Sequence, residues 1–299
     1  MYNGNMGDRV EAKSAKTGLK IHTILGVPVS GTSTDTVLTK IEAQCTKKAF
    51  KKPFFIVTAY SEFFLEAQKD LGFKNALFEA DLVVPDGVSV VAAMDYQDQR
   101  LGVWWRDLGA GLRVGLRILK GELSGRTVVG VRLVEKILEL AGEKKWRVFL
   151  LGSDKDTLTK LKFKIKGSDY LAGLVDSGKL ESDPGPIRLS DLSYSDNEKL
   201  VKKVNNFKPD ILLVAFGRFK QEKWIWQNLS KINARVVMGV GSSFDELSGR
   251  GKWVTPAPLW VEKMGLKWLW RVTKDPKHLR RAWNAFPVFA WKVFADRKA

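Results

Sequence analysis

The chain has 299 residues, 44% of them hydrophobic, which fits a folded globular protein and excludes a generally disordered one. Its single cysteine, Cys45, excludes an internal disulfide, and two distant histidines without a cysteine cluster argue against a zinc site. The formal net charge of +17 predicts a partner of opposite charge: a nucleic acid, an anionic lipid surface or a phosphorylated substrate.

In chain order, residues 1–17 are polar and are predicted to be disordered. Apolar runs then alternate with helix-like segments. The predicted strands cover residues 20–29 (a strand or a hairpin), 53–58, 81–87, 146–153, 209–217 and 234–245. The predicted helices cover residues 33–50, 61–72, 88–96, 133–145, 155–165, 196–207 and 220–231. Because the strands are apolar throughout, residues 18–254 are predicted to form an α/β domain with a Rossmann-like, doubly wound, mostly parallel sheet covered on both faces.

The pair Asp86-Gly87 lies between two apolar runs, and such a pair alone favours a β-hairpin turn. The surrounding alternation and the Ala-rich helical spacing of residues 88–96 favour instead a strand that ends near Asp86 and a helix that follows it. Asp86 would then lie at the carboxyl end of a strand, where open α/β sheets bind their ligands.

Residues 97–125 fit the alternation poorly, because arginines are interleaved there with Leu, Val and Trp. Two interpretations remain open. The block is either a basic amphipathic helix lying on a membrane or over the active site, or an ordinary surface helix with a solvated arginine face. Residues 167–195 are rich in Gly, Ser, Asp and Pro and are predicted to be a long loop, with one short strand as the alternative.

The carboxyl-terminal region holds much of the excess charge. Residues 250–299 contain twelve Lys and Arg against three Asp and Glu, and six of the eleven Trp. No run reaches the roughly 20 apolar residues of a transmembrane helix, and no signal peptide is expected. Because Trp favours the headgroup level and basic residues attract anionic lipid, residues 255–299 are predicted to form a basic, Trp-rich helical appendage on an anionic membrane surface. Core packing of the earlier Trp residues is expected beside this role.

Small or polar residues follow several predicted strands. They are Thr58, Asp86, Gly152, Ser153 and Gly217, with Gly239, Gly241 and Asp245 in a loose glycine-rich loop after the last strand. In doubly wound sheets these ends meet at one edge, where helix N-termini favour phosphate, so together they predict a nucleotide-type site. The sequence has no P-loop, strict GxGxxG or GxSxG motif, which disfavours a P-loop ATPase, an NAD enzyme and an α/β serine hydrolase.

Gln221 and Glu222 are expected in the first turn of a helix after the strand that ends near Gly217. Gln221 can donate and accept hydrogen bonds with sugar hydroxyls or phosphate oxygens. Glu222 complements the helix dipole at that position, and it is also a candidate substrate-binding residue.

Six segments in consistent order carry a family resemblance. They are TAYSE (58–62), ADLVVPDGVSVV (80–91), VFLLGS (148–153), VAFGRFKQE (214–222), MGVGSSFDELSG (238–249) and PAPLWVEKMGLKWLWRVTKDP (256–276). These segments resemble the WecG/TagA/CpsF glycosyltransferase family. The resemblance extends from residue 20 to residue 285, and the block 97–125 looks like an insertion in it.

The resemblance implies a metal-independent, inverting transfer of a sugar from a UDP-sugar to a lipid-linked acceptor, with no cofactor besides the donor. In the wall teichoic acid and enterobacterial common antigen branches the donor is UDP-N-acetylmannosamine. The acceptor there is undecaprenyl-diphosphate-linked N-acetylglucosamine at the cytoplasmic face of the membrane. A cytoplasmic chain bound peripherally to the inner face of the cell membrane is therefore expected.

The resemblance also implies roles for residues. Asp86 matches the proposed general base, and Thr58 and Gln221 match polar residues of the same pocket. The arginines of the C-terminal stretch are thought to reach the acceptor's diphosphate. Together with the strand ends, the candidate substrate-binding residues are Tyr60, Arg126, Gly152, Ser153, Gly217, Glu222, Gly239, Gly241, Asp245, Arg271, Arg280 and Arg281.

The sequence departs from the family pattern at several positions. The family usually has Asn at Tyr60, Pro at Phe219, Arg at Pro256, Glu at Lys267 and Asp at Arg132. Tyr60 and Phe219 are expected beside the pocket, so the sugar could be another N-acetylhexosamine, a hexose or a uronic acid. Two other functions remain open, a nucleotide-binding regulator that has lost catalysis and a basic nucleic-acid-binding protein. The resemblance also makes a homo-oligomer possible.

Overall fold

The computed structural model describes residues 6–168, 171–186, 188–250, 261, 270 and 283–296. Eight strands lie in these ranges. They are β1 Ile21–Ile24, β2 Val27–Ser30, β3 Phe54–Ala59, β4 Leu82–Pro85, β5 Val148–Gly152, β6 Leu180–Asp183, β7 Ile211–Ala215 and β8 Val236–Gly239. Strands β1 and β2 form an antiparallel hairpin, whereas the other six form one parallel sheet in the order β4-β3-β8-β7-β5-β6.

Helices connect and cover these strands. They are α1 Met6–Thr17, α2 Thr34–Cys45, α3 Ser61–Glu66, α4 Leu71–Glu79, α5 Val88–Gln99, α6 Trp104–Leu119, α7 Gly130–Lys144, α8 Lys155–Lys166, α9 Ala172–Asp176, α10 Tyr194–Phe207, α11 Lys220–Asn228, α12 Ser243–Ser248 and α13 Phe289–Ala295. Short 3-10 turns lie at Ser124–Arg126 and Leu189–Asp191, and a π-helical turn at Asn284–Val288 precedes α13.

The sheet separates two hydrophobic cores. Successive side chains of a strand point to opposite faces, so Phe55 and Val57 of β3 pack into one core, and Phe54 and Ile56 pack into the other. All residues of β5 and β7 are buried, as expected for parallel strands covered by helices on both sides. The predicted fold class, a Rossmann-like α/β sheet, is confirmed.

Four of the described helices begin with a capping side chain. Ser33, Asp70, Asp154 and Ser193 each accept a hydrogen bond from a backbone N–H in the first turn of α2, α4, α8 and α10. These side chains satisfy amide groups that have no partner within the helix. They fix where each helix starts after its loop.

Residues 6–17 differ from the prediction of disorder, because they form helix α1. Lys13 Nζ donates to the carbonyl oxygen of Ala80 at 2.7 Å, and Lys16 pairs with Asp81 in the same loop. The polar side chains that predicted disorder are thus the ones that attach the helix to the domain. These partners are distant in sequence, since 67 residues separate Lys13 from Ala80 and 65 separate Lys16 from Asp81.

The predicted appendage, residues 255–299, lies mostly outside the described ranges. Within it, Trp283 and Trp291 are 62% and 67% exposed, whereas Phe289 and Val293 of α13 are buried in the core beside Phe64. In the described part of the chain, none of the helices combines the length and the apolar character needed to cross a bilayer.

Candidate active site

Asp86 lies at the carboxyl edge of the parallel sheet, as the strand-to-helix interpretation predicts. Strand β4 ends at Pro85 and α5 begins at Val88, with Gly87 at a φ of 106° between them. The backbone N–H of Asp86 donates to the carbonyl oxygen of Ala59 at 2.9 Å, which extends the pairing of β3 and β4 by one step. The hairpin interpretation is wrong because the chain continues into a helix.

Thr58 and Asp86 face the same point at the start of α7. A Cβ atom placed on Gly130 would lie 3.1 Å from Asp86 Oδ2 and 3.4 Å from Thr58 Oγ1. The backbone N–H of Val128 donates to the carbonyl oxygen of Pro85 at 2.8 Å and holds this end of α7 against β4. The structure therefore brings two predicted site residues together at the N-terminus of a 15-residue helix, where the helix dipole favours negative charge.

Gln221 lies beside the end of the neighbouring strand β8. Its Nε2 donates to Glu222 Oε1 at 2.7 Å, and its Oε1 accepts from the backbone N–H of Gly241 at 3.0 Å. A Cβ on Gly239 would lie 2.7 Å from both Gln221 Nε2 and Glu222 Oε1, so glycine is required there by close approach. Val57 pairs with Gly239, which places this group one strand away from Thr58, about 4.8 Å across the sheet.

Glu222 is an unusual group for a helix start. It is 1% exposed, and its Oε2 has no hydrogen-bond partner within the described residues. Burial raises the pKa of Glu222 to about 7, and the hydrogen bond from Gln221 opposes this effect only in part. The favourable interaction of a carboxylate with the N-terminal end of the helix dipole explains why Glu222 lies in the first turn of α11. It does not explain why Glu222 is buried.

Ser153 and Asp245 form a second polar group, at the end of β5. Ser153 Oγ donates to Asp245 Oδ1 at 3.2 Å, and Asp245 lies in the first turn of α12. Gly152 has a φ of 98°, and a Cβ there would lie 2.7 Å from the carbonyl group of Ala215. Three predicted substrate-binding residues therefore meet at the junction of β5, β7 and α12.

Tyr60 and Phe219, two departures from the family pattern, contact one common ring. The centroid of Phe63 lies 4.7 Å from that of Tyr60 and 5.3 Å from that of Phe219. Arg218 donates to Glu62 Oε2 at 2.6 Å, and its guanidinium lies 5.5 Å from the Phe219 ring centroid. Phe219 itself has a φ of 67°, which is strained for a residue with a Cβ atom.

Arg126 is exposed and ends the 3-10 turn before α7. Its Nη1 lies 3.2 Å from Asp95 Oδ1, and Asp95 also binds Arg117 of α6. Arg132 is exposed and pairs with Glu135 at 3.1 Å. None of these contacts joins Arg126 to Asp86.

The remaining predicted residues are placed as follows. Gly217 is exposed two residues after β7, and its carbonyl oxygen accepts from the N–H of Gln221 at 3.1 Å. Arg271, Arg280 and Arg281 lie outside the described residues, so their expected contact with an acceptor diphosphate stays a prediction. Over the part of the chain that the structure describes, no group of three or more His, Cys, Asp or Glu is arranged to hold a metal ion.

Two residues of this region were not singled out from the sequence as site residues. Gly130 follows two valines at a helix start, and a glycine there signals that something approaches its backbone closely. Asp95 is an acidic residue within the apolar run of α5, and it is only 5% exposed. A buried acid in such a run signals a paired charge.

Comparisons with known proteins agree with the resemblance. The model of the family described as "Glycosyl transferase WecG/TagA/CpsF family" matches residues 22–103 and 107–299. The chain is similar to the N-acetylglucosaminyldiphosphoundecaprenol N-acetyl-beta-D-mannosaminyltransferase of Staphylococcus aureus strain MW2, with 26% identity over 270 residues, 90% of this chain and 91% of the relative. The protein of the same name in strain NCTC 8325 / PS 47 has the same identity and coverage.

Proposed function

This chain belongs to the WecG/TagA/CpsF glycosyltransferase family, and from that premise we propose that it transfers N-acetylmannosamine, or a related N-acetylhexosamine, from a UDP-sugar to a lipid-diphosphate-linked sugar. The product would be an intermediate of a cell-surface polysaccharide. The names of the relatives support both the sugar and the acceptor, since they describe N-acetylmannosamine transfer to N-acetylglucosaminyldiphosphoundecaprenol.

One observation carries the proposal. Thr58 in β3 and Asp86, directly after β4, face the first residue of α7 at the carboxyl edge of the sheet. This edge is where open α/β sheets bind ligands, and a helix N-terminus there favours an anionic group such as the donor's diphosphate. The Asp86 carboxylate, the Thr58 hydroxyl and the N-terminus of α7, which favours anions, thus lie together at this edge.

In this proposal Asp86 acts as the general base. An acceptor hydroxyl forms a bond from its oxygen to the anomeric carbon of the donor sugar, while the bond from that carbon to the phosphate oxygen of UDP breaks. The hydroxyl proton passes to the Asp86 carboxylate, and the bonding electron pair leaves with UDP. A single displacement of this kind inverts the anomeric configuration.

The leaving UDP gains negative charge, which the protein must stabilise. Backbone N–H groups in the first turn of α7 have no partner within the helix, and they are suited to this task. Arg271, Arg280 and Arg281 are proposed to meet the diphosphate of the acceptor. Gln221 is proposed to bind the donor. Hydrogen bonds to Glu222 and from Gly241 fix its side-chain amide at the end of β8, the strand next to β3 with Thr58.

We also place the chain in the cytoplasm, bound peripherally to the inner face of the membrane through the segment 255–299. Two observations support this proposal. The relatives act on a polyprenyl-linked acceptor by name, and the described part of this segment exposes Trp283 and Trp291. Exposed Trp is typical of the membrane interface.

The test is release of UDP by the purified chain from a panel of UDP-sugars, with an undecaprenyl-type acceptor analogue present. The chain is expected to favour UDP-N-acetylmannosamine or a related UDP-N-acetylhexosamine. Asp86→Asn should lower turnover by about 10²- to 10⁴-fold with an unchanged fold. Asp35→Asn, at a side chain that is 86% exposed, is the matched control and should leave turnover unchanged. Wild-type turnover by a folded Asp86→Asn variant would exclude this role.

A further inference from the structure

Helix α6 is apolar on two opposite sides. One side is the ordinary buried side, where Ala110 and Val114 pack into the core that also contains α5. The other side faces away from the protein. It is lined by Trp105, Leu108, Leu112, Leu116 and Leu119, which are 56%, 50%, 66%, 58% and 54% exposed.

Helix geometry shows that this exposed set is a continuous stripe. At about 100° per residue, its five members fall within about 80° of one another around the helix axis. The buried residues Ala110 and Val114 lie roughly on the opposite side of the axis. A surface helix normally has one apolar face, so the outer stripe is not needed for packing α6 onto the domain.

A row of basic side chains runs along one edge of the stripe. Arg106, Arg113 and Lys120 lie roughly a quarter-turn from it, and the Arg106 guanidinium is 4.9 Å from the Trp105 ring centroid. Within the described chain these three make no ion pair. The acidic residue of α6, Asp107, is 8% exposed and accepts a hydrogen bond from the N–H of Leu101. The outward charge of α6 is therefore entirely positive.

The stripe continues onto α13. A groove of about 440 Å³ is lined by Trp104 at the start of α6, by Trp291 of α13 and by Arg100. Arg100 Nη1 donates to the carbonyl oxygen of Asp296 at 2.6 Å, which fixes α13 beside the start of α6. Trp104 and Trp291 are 65% and 67% exposed, so aromatic rings extend the apolar surface at this end.

We propose that the outer face of α6, together with Trp291, docks on an anionic lipid bilayer surface, as a contact separate from residues 255–282. The leucine stripe enters the acyl boundary, the tryptophans lie at the headgroup level, and Arg106, Arg113 and Lys120 meet anionic headgroups. A second copy of the chain fits less well. Self-pairing of this face would place basic rows against each other without any exposed acid on α6 to balance them.

Helix α6 is also linked, through one carboxylate, to the turn that precedes α7. Arg117, which lies on the same basic side of α6, binds Asp95, and Asp95 binds Arg126 just before α7. Lipid contact at α6 would thus hold the edge of the sheet close to the membrane. This consequence rests on the proposed function, whereas the docking itself does not.

Flotation with vesicles of phosphatidylcholine, with and without phosphatidylglycerol, tests the docking. The full chain should float with the anionic vesicles. The variant Leu108→Gln/Leu112→Gln/Leu116→Gln should bind them at least about tenfold more weakly, since exposed leucines contribute apolar area to the contact. Arg106→Glu/Arg113→Glu should lose the preference for anionic vesicles, at about fivefold or more per reversed charge.

The matched control is Leu71→Gln/Phe163→Gln/Tyr194→Gln, which removes three apolar side chains that are 76%, 79% and 76% exposed elsewhere. It should float like the wild type. All variants should keep the wild-type melting temperature and the wild-type rate of transfer to a water-soluble acceptor analogue. Flotation of the α6 leucine variant equal to that of the wild type overturns the docking. The docking is also overturned if the α6 leucine variant differs from the wild type only in its oligomeric state, measured by light scattering. Absence of transfer by the wild type would overturn the proposed function and leave the flotation result standing.

Discussion

Asp95 binds Arg117 with both carboxylate oxygens, each 2.6 Å from Arg117 Nη1. The pair joins the middle of α5 to the last turn of α6. Asp95 also pairs with Arg126, which ends the 3-10 turn before α7. The block that fits the strand–helix alternation poorly is thus attached to the domain by a carboxylate whose side chain is only 7% exposed.

This pair should be measurable by a double-mutant cycle. Arg117→Ala should lower the free energy of unfolding less than Asp95→Ala does, because Asp95 keeps Arg126 and Gln99 as partners and Arg117 is partly exposed. Asp95→Ala should cost about 2 kcal/mol, because two arginines lose their carboxylate. Urea unfolding of both single variants and the double variant gives the coupling. Purely additive losses would contradict a direct pairing.

Gly130→Ala should lower activity without lowering stability. The added methyl group would lie 3.1 Å from Asp86 Oδ2 and displace the carboxylate, so the turnover number should fall by about tenfold or more. Alanine is a better helix former than glycine, which offsets the cost of this contact, so the melting temperature should change little. Gly111→Ala, where a Cβ has no neighbour within 4 Å, is the control and should change stability alone. Equal turnover in both variants would mean that α7 does not border the reacting groups.

Glu222 should give the stability of the chain a pH dependence. Its pKa is about 7 in the folded chain against an ordinary 4.5, so between these values the folded state retains a proton that the unfolded state has released. The contribution of Glu222 to the free energy of unfolding is fully present below pH 4.5. It is lost as pH rises toward 7, by about 3 kcal/mol at most. Glu222→Gln keeps the acceptor for Gln221 and should remove this loss. Urea unfolding at pH 5 and pH 7 compares the two proteins, and identical pH slopes would refute the assignment.

Metal removal should leave the reaction unaffected. The proposed mechanism stabilises the leaving UDP with helix N–H groups and arginines. UDP release should therefore be equal in EDTA and in added Mg²⁺. Activity that disappears in EDTA and returns with Mg²⁺ would show that a cation supplies this stabilisation instead.

The sequence predicted the sheet and the position of Asp86 because both depend on local pattern. Strands buried on both faces are continuous apolar runs, and the Ala-rich spacing after Gly87 distinguishes a helix from a hairpin strand. Helix α1 was missed because Lys13 and Lys16 find their partners more than 60 residues away. Composition does not report such contacts.

Burial of Glu222 was also beyond local pattern. It depends on the close approach of Gly239, which belongs to a different strand. For α6, the spacing of leucines shows which residues share a side, but the side that faces the core is decided by the small residues Ala110 and Val114. These differences all arise where two segments distant in sequence meet.

The position of β8 in the sheet has a consequence for how the chain assembles. This strand is the last of the six in sequence, yet it lies between β3 and β7 and pairs with both. Until residues 236–239 have been synthesised, β3 and β7 each present an open edge of unpaired backbone N–H and C=O groups. Closure of the sheet therefore waits for a long-range step that follows the synthesis of β8, and a chain stalled before it would keep two unpaired, aggregation-prone strand edges.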